Sequence, residues 1–156
     1  IVKKGQLDLN LFEGSTINTP SLLAVEDQLD ALTWANSIGG LDELVRRSSK
    51  NLGVISDWVE HSDWVSFLTD NADIRSSTSI CLKVVDAWFA GKPEKEQRDL
   101  INVLVAKLES EDVAYDIGGY RDAPPGLRVW GGATVETSDI AALLPWLDWA
   151  YHGLKS

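Results

Sequence analysis

The sequence predicts an α+β domain, a small mixed or antiparallel sheet with helices packed on one face, and three observations lead there. Apolar residues recur at helical spacing in four stretches, and short apolar runs of strand length stand between them. The two kinds are segregated in the order helix, helix, strand, strand, helix, strand, strand, helix. With 156 residues, 44% apolar and 24% charged, the chain has enough material for one core and too little for two.

Residues 1–15, with Leu7, Leu9 and Leu11 alternating after Lys3, Lys4 and Gly5, read as a loosely held strand or arm without partner strands. In the following Ser15-Thr16-Ile17-Asn18-Thr19-Pro20-Ser21, Thr19 is suited to cap a helix and Pro20 to its first position. Leu22, Val25, Leu29 and Leu32 form the helical stripe, and Gly39-Gly40 ends it. A second helix is predicted over 41–61 from Leu44, Val45, Leu52, Ile55 and Trp58, weakened in its middle by Ser48, Ser49 and Gly53.

Trp64 to Phe67 read as a strand and residues 70–73 as a turn. Residues 79–85, apolar but for Lys83, suit the centre of the sheet. Gly91-Lys92-Pro93 opens a helix with Glu94 and Glu96 in its first turn and Leu100, Ile101, Leu104 and Leu108 on one side. Residues 113–117 and 127–130 read as two strands around a loop. Thr137 or Ser138 caps a last helix with Ile140, Leu143, Leu144, Leu147 and Tyr151, in which Pro145 forces a kink or restart.

The net charge of −10 argues against duplex nucleic acid or an anionic membrane face as partner. No apolar run is long enough to cross a bilayer and no export leader precedes the domain, so a soluble, cytoplasmic protein is expected. The lone Cys81 sits in an apolar run and reads as buried strand filler. His61 and His152 lie far apart near helix ends, and no cluster has metal-ligand spacing. The acidic groups around Glu26 and Glu109 read as solvated helix faces, and the seven tryptophans as core and interface material. A chain that starts at Ile1 and holds no methionine is expected to be part of something longer.

The most informative stretch is 117–134, in which Arg121 and Arg128 flank a Pro124-Pro125-Gly126 turn. A strand, tight loop and strand would set both guanidinium groups near one mouth. Such groups bind carboxylate or phosphate through paired charge-assisted hydrogen bonds. From the residues alone this is an anion-binding domain without an assigned reaction.

In order and separation, Ile17-Asn18-Thr19-Pro20-Ser21, Gly39-Gly40, Arg75-Ser76, Gly119-Tyr120-Arg121 and Leu127-Arg128-Val129 resemble the C-terminal part of the phosphoserine aminotransferases. These are pyridoxal-phosphate enzymes of fold type I. The resemblance implies an arm over 1–15 left from a large domain, a small domain over 16–156, and a homodimer. It places Asn18 and Thr19 against the phosphate of pyridoxal 5'-phosphate held by the other subunit, in keeping with donors at a helix start. It gives Arg128 the substrate α-carboxylate and Arg121 the substrate phosphate. Tyr120 where the family has His, and the 122–126 insertion, make the Arg121 transfer the weaker one.

The implied activity is transamination between glutamate and 3-phosphohydroxypyruvate in serine biosynthesis. The cofactor-bearing lysine is expected upstream, so the piece alone would be inactive. The rivals are the small domain of another class V aminotransferase or desulfurase, and a stand-alone anion-binding or dimerisation module.

Overall fold

The computed structural model describes residues 2–14 and 18–155, and the chain divides into two compact units, Ile1–Leu41 and Asp42–Ser156. Residues 15–17, which open the sequence-predicted helix entry, lie outside the described residues.

In the first unit the arm finds a partner within itself. Strands β1 (Val2–Lys3) and β2 (Gln6–Leu7) pair antiparallel, with Val2 opposite Leu7. Lys4 and Gly5, at φ 51° and 79°, make the two-residue turn whose twist suits a hairpin. A 3-10 helix follows over Leu9–Glu13. Helix α1 (Leu22–Ser37) starts two residues later than the sequence suggested, because the Ser21 hydroxyl, not that of Thr19, accepts the Ala24 amide at 3.5 Å. Pro20 therefore stands before the helix. After Ile38, Gly39 and Gly40 take φ of 121° and 71°, which a side chain would resist, and the run ends as expected.

The second unit holds the core. Helix α2 (Gly40–Glu60) is continuous through Ser48, Ser49 and Gly53. Strands β3 (Val65–Phe67), β4 (Ser79–Val84) and β5 (Gly126–Trp130) form an antiparallel sheet with β4 in the centre, as its apolar run predicted. Phe67 stands opposite Leu82, Ile80 opposite Val129, and Cys81 opposite Arg128. The period of two sends Ile80, Leu82, Leu127 and Val129 into the core. Cys81 and Arg128 are left on the outer side of the sheet. Cys81 is accordingly half-buried, not the core filler expected of it.

Between β4 and β5 lie a short α3 (Ala87–Ala90), seated by the Asp86 carboxylate on the Trp88 amide at 2.8 Å, and α4 (Glu94–Ser110). Pro93 occupies the cap position of α4, one place earlier than the first helical position. Ile101, Leu104 and Leu108 are buried against the sheet and α5 (Thr137–His152). Neither Thr137 nor Ser138 caps α5. Glu136 holds the cap position without a side-chain bond, and the Thr137 hydroxyl donates to Asn51 at 2.7 Å instead. The helix runs without a break across Pro145.

Several polar groups inside this core are matched. Asp148 accepts the indole N–H groups of Trp58 and Trp64 at 3.1 and 2.7 Å, and Trp64 stacks on Tyr151 with centroids 4.1 Å apart. Fully buried Asn51 donates to the carbonyls of Gly131, Gly132 and Val135 at 3.1, 3.3 and 3.1 Å. These bonds join the chain leaving β5 to α2.

Candidate functional site

Strand β5 carries Arg128 and fixes its direction. Its start approaches β4 so closely that any side chain at Gly126 would run into the Leu82 carbonyl, so glycine is required there. The predicted strand over 113–117 does not form. Asp112 and Asp116 take φ of 56° and 52°, which turns the backbone out of extended geometry, and only the isolated bridge between Gly118 and Leu127 remains. The segment is tied to β5 by the Arg128 amide donating to the Ile117 carbonyl at 2.8 Å and that of Gly119 to the Gly126 carbonyl at 3.2 Å.

That turn at Asp116 has a chemical result. The Asp116 carboxylate accepts from Arg128 Nη2 at 3.0 Å, and the Arg128 guanidinium lies over the Tyr120 ring, 4.5 Å from its centroid. The Arg128 side chain is only 20% exposed, and its Nε is buried without a hydrogen-bond partner among the described residues. It borders a cavity of about 460 Å³ with Tyr115, Asp116, Trp130, Asp139 and Leu143. The Tyr115 hydroxyl in that wall donates to Asp112 at 2.6 Å, and this carboxylate raises the phenol pKa above its ordinary value. The arrangement is a preoriented cation with an apolar floor, and a small carboxylate could exchange for Asp116 on it.

Arg121 is placed differently. Its side chain is 94% exposed, with its Nε 4.0 Å from Asp122. It borders a separate cavity of about 240 Å³ with Arg98, Asn102, Gly119, Tyr120 and Pro125. The two arginines therefore do not share one mouth, as the strand, loop and strand reading had them; Tyr120 stands between the two cavities and lines the smaller. Sequence reasoning missed Asp116 as the partner of Arg128. The only signal was an acidic residue close before a glycine pair.

In the first unit, Asn18 and Thr19 are exposed immediately ahead of α1, and neither side chain makes a hydrogen bond among the described residues. An amide, a hydroxyl and the free N–H groups of a helix start are donors of the kind a phosphate takes. Among the described residues no group of three or more His, Cys, Asp or Glu could hold a metal ion, and no helix is long and apolar enough to cross a membrane. Lys83, the lysine in the apolar run, pairs with Asp70 at 2.8 Å and is partly exposed, and the Asp70 carboxyl is held below its usual pKa by that hydrogen bond. His61, just past the end of α2, bonds the Asp57 carbonyl at 2.7 Å.

No family model matches the chain. Compared with known proteins, it is 48% identical over 155 residues to a phosphoserine aminotransferase of Methanosarcina mazei and 49% identical to that of Methanosarcina barkeri. Both matches take in 99% of this chain and 39% of the relative, so the chain spans well under half the length of these proteins. Among solved structures, phosphoserine aminotransferase from Bacillus circulans subsp. alkalophilus superposes with a TM-score of 0.73 at 20% identity, over 92% of this chain and 36% of that one. A phosphoserine aminotransferase studied for radiation damage of its Schiff base gives 0.74 at 16% identity, over 97% and 40%. The resemblance carried by Asn18-Thr19-Pro20, Gly119-Tyr120-Arg121 and Leu127-Arg128-Val129 thus extends over the whole chain. The fold matches the C-terminal domain of those aminotransferases.

Proposed function

We propose that this chain is the C-terminal domain of a phosphoserine aminotransferase. In this reading the complete protein transfers an amino group between glutamate and 3-phosphohydroxypyruvate, giving O-phosphoserine for serine biosynthesis in the cytoplasm. The observation that carries the reading is near-half identity to two such proteins across 99% of the chain.

Pyridoxal 5'-phosphate, when bound, supplies the electron sink of the reaction. The residues of this chain orient and neutralise. Arg128, held in plane by Asp116 and Tyr120, takes the α-carboxylate common to both amino acids. Arg121 adds positive charge for the phosphate of the three-carbon substrate. Asn18 and Thr19 donate to the cofactor phosphate across a homodimer interface, a role that an exposed amide and hydroxyl ahead of a helix suit.

The cofactor-bearing lysine belongs to the rest of the protein. None of the lysine side chains described here is buried, and Lys83, Lys92 and Lys155 are already paired with Asp70, Glu96 and Asp86. This chain by itself is therefore expected to be inactive.

The test is Arg128→Lys and Arg128→Ala in the complete protein, assayed for phosphoserine formed from glutamate and 3-phosphohydroxypyruvate. The lysine keeps the charge but not the two-pronged geometry. Both variants should lose on the order of 100-fold in kcat/KM for both substrates. Full activity in Arg128→Ala would remove Arg128 from the site. Complete protein without transaminase activity would remove the reading itself.

A further inference from the structure

Arg98 lies in the second turn of α4, at the edge of the stripe that buries Ile101, Leu104 and Leu108. Its side chain is 38% exposed, yet its guanidinium is engaged by the chain itself. Nη1 donates to the Arg121 carbonyl at 3.1 Å, and Nη2 donates to the Ala123 carbonyl at 3.0 Å and to Glu94 Oε1 at 2.6 Å. One planar group thus ties two carbonyls of the 121–123 turn to a core helix, and Glu94 one turn back fixes its plane. The turn is closed by the Ala123 amide donating to the Tyr120 carbonyl at 3.0 Å. Arg121 extends from this turn with a 94% exposed side chain, so its own contacts do little to set its direction.

We infer that Arg98 is a positioning residue for Arg121 and that, through the backbone of residues 121–123, it sets affinity for the phosphate-bearing substrate. This rests on the role proposed above for Arg121. Two carbonyls and a carboxylate occupy Arg98, so it acts by holding the loop and not as a second ligand of the phosphate. Lysine at this position would keep the charge and lose the fork.

The experiment compares Arg98→Ala, Arg98→Lys and Arg121→Ala in the complete protein, reading KM for 3-phosphohydroxypyruvate, KM for glutamate and kcat. Amide hydrogen exchange over 119–126 is read on the same samples. Both Arg98 variants should raise KM for the phosphorylated substrate about tenfold, change KM for glutamate less than about threefold, and leave kcat near its starting value. Exchange at 120–123 should quicken in both.

Normal KM in Arg98→Lys beside a raised KM in Arg98→Ala would mean that charge matters and the fork does not, which overturns the inference. Equal losses on both substrates would make Arg98 merely structural and also overturn it. If Arg121→Ala raises KM for the phosphorylated substrate and neither Arg98 variant does, the inference falls and the reading of Arg121 stands. If Arg121→Ala is silent, the reading of Arg121 falls first and the inference with it.

Discussion

Helices α1 and α5 are each 16 residues long and rich in apolar side chains, yet they end in opposite circumstances. Helix α5 buries Ile140, Leu144, Leu147, Ala150 and Tyr151 in the core of the second unit. Helix α1 buries no residue, and Leu22, Leu23, Leu29 and Leu32 are each at least half exposed. Apolar content therefore reports that a helix needs a covering surface, and it does not report where that surface comes from. For α5 the surface lies in the same unit. For α1 the proposed function supplies it from elsewhere in the complete dimeric protein, in keeping with Asn18 and Thr19 standing just ahead of that helix.

The comparison breaks most easily at the buried end. Leu147 is fully buried on α5, and Leu147→Ala removes its packing and leaves a cavity in the core cluster. Urea unfolding of this chain should register a loss of about 2–5 kcal/mol. A loss below about 1 kcal/mol would mean that α5 is held no better than α1. A somewhat smaller effect is expected of Asn51→Ala, which leaves three carbonyls of the loop leading into α5 and the Thr137 hydroxyl without their partner. That variant should cost about 1–3 kcal/mol in the same titration, and an unchanged midpoint would show that α5 does not depend on this clamp.

What could be read from the sequence follows the same division. Strand β4 and helices α4 and α5 were legible because their apolar periods are matched by buried partners within the unit. The cap of α1 was misplaced because Thr19 and Ser21 are equally good cap residues, and only backbone geometry separates them. The strand over 113–117 was lost for a related reason. Val113 and Ile117 carry the alternating signal, but left-handed turns at Asp112 and Asp116 are a backbone choice that side-chain pattern does not encode. The arginines stand out in the sequence by their flanking glycines and prolines. Their separation into two cavities depends on Asp116 and Arg98, whose carboxylate and guanidinium look like ordinary surface charge until the fold brings them in.

The smallest expected effect sharpens the comparison furthest. Leu29 on α1 is 52% exposed, so Leu29→Ala gives up little burial and improves helix propensity slightly. In this chain alone its unfolding free energy should stay within about 0.5 kcal/mol of the starting protein. In the complete protein, where the proposed function has α1 covered, the same substitution should cost more than about 1 kcal/mol, because a covered leucine loses packing as Leu147 does. The difference between the two measurements is the quantity that matters, since a uniformly small effect would leave α1 exposed in the whole protein as well. A large effect in this chain alone would instead mean that α1 already has its covering surface here, and the contrast with α5 would disappear.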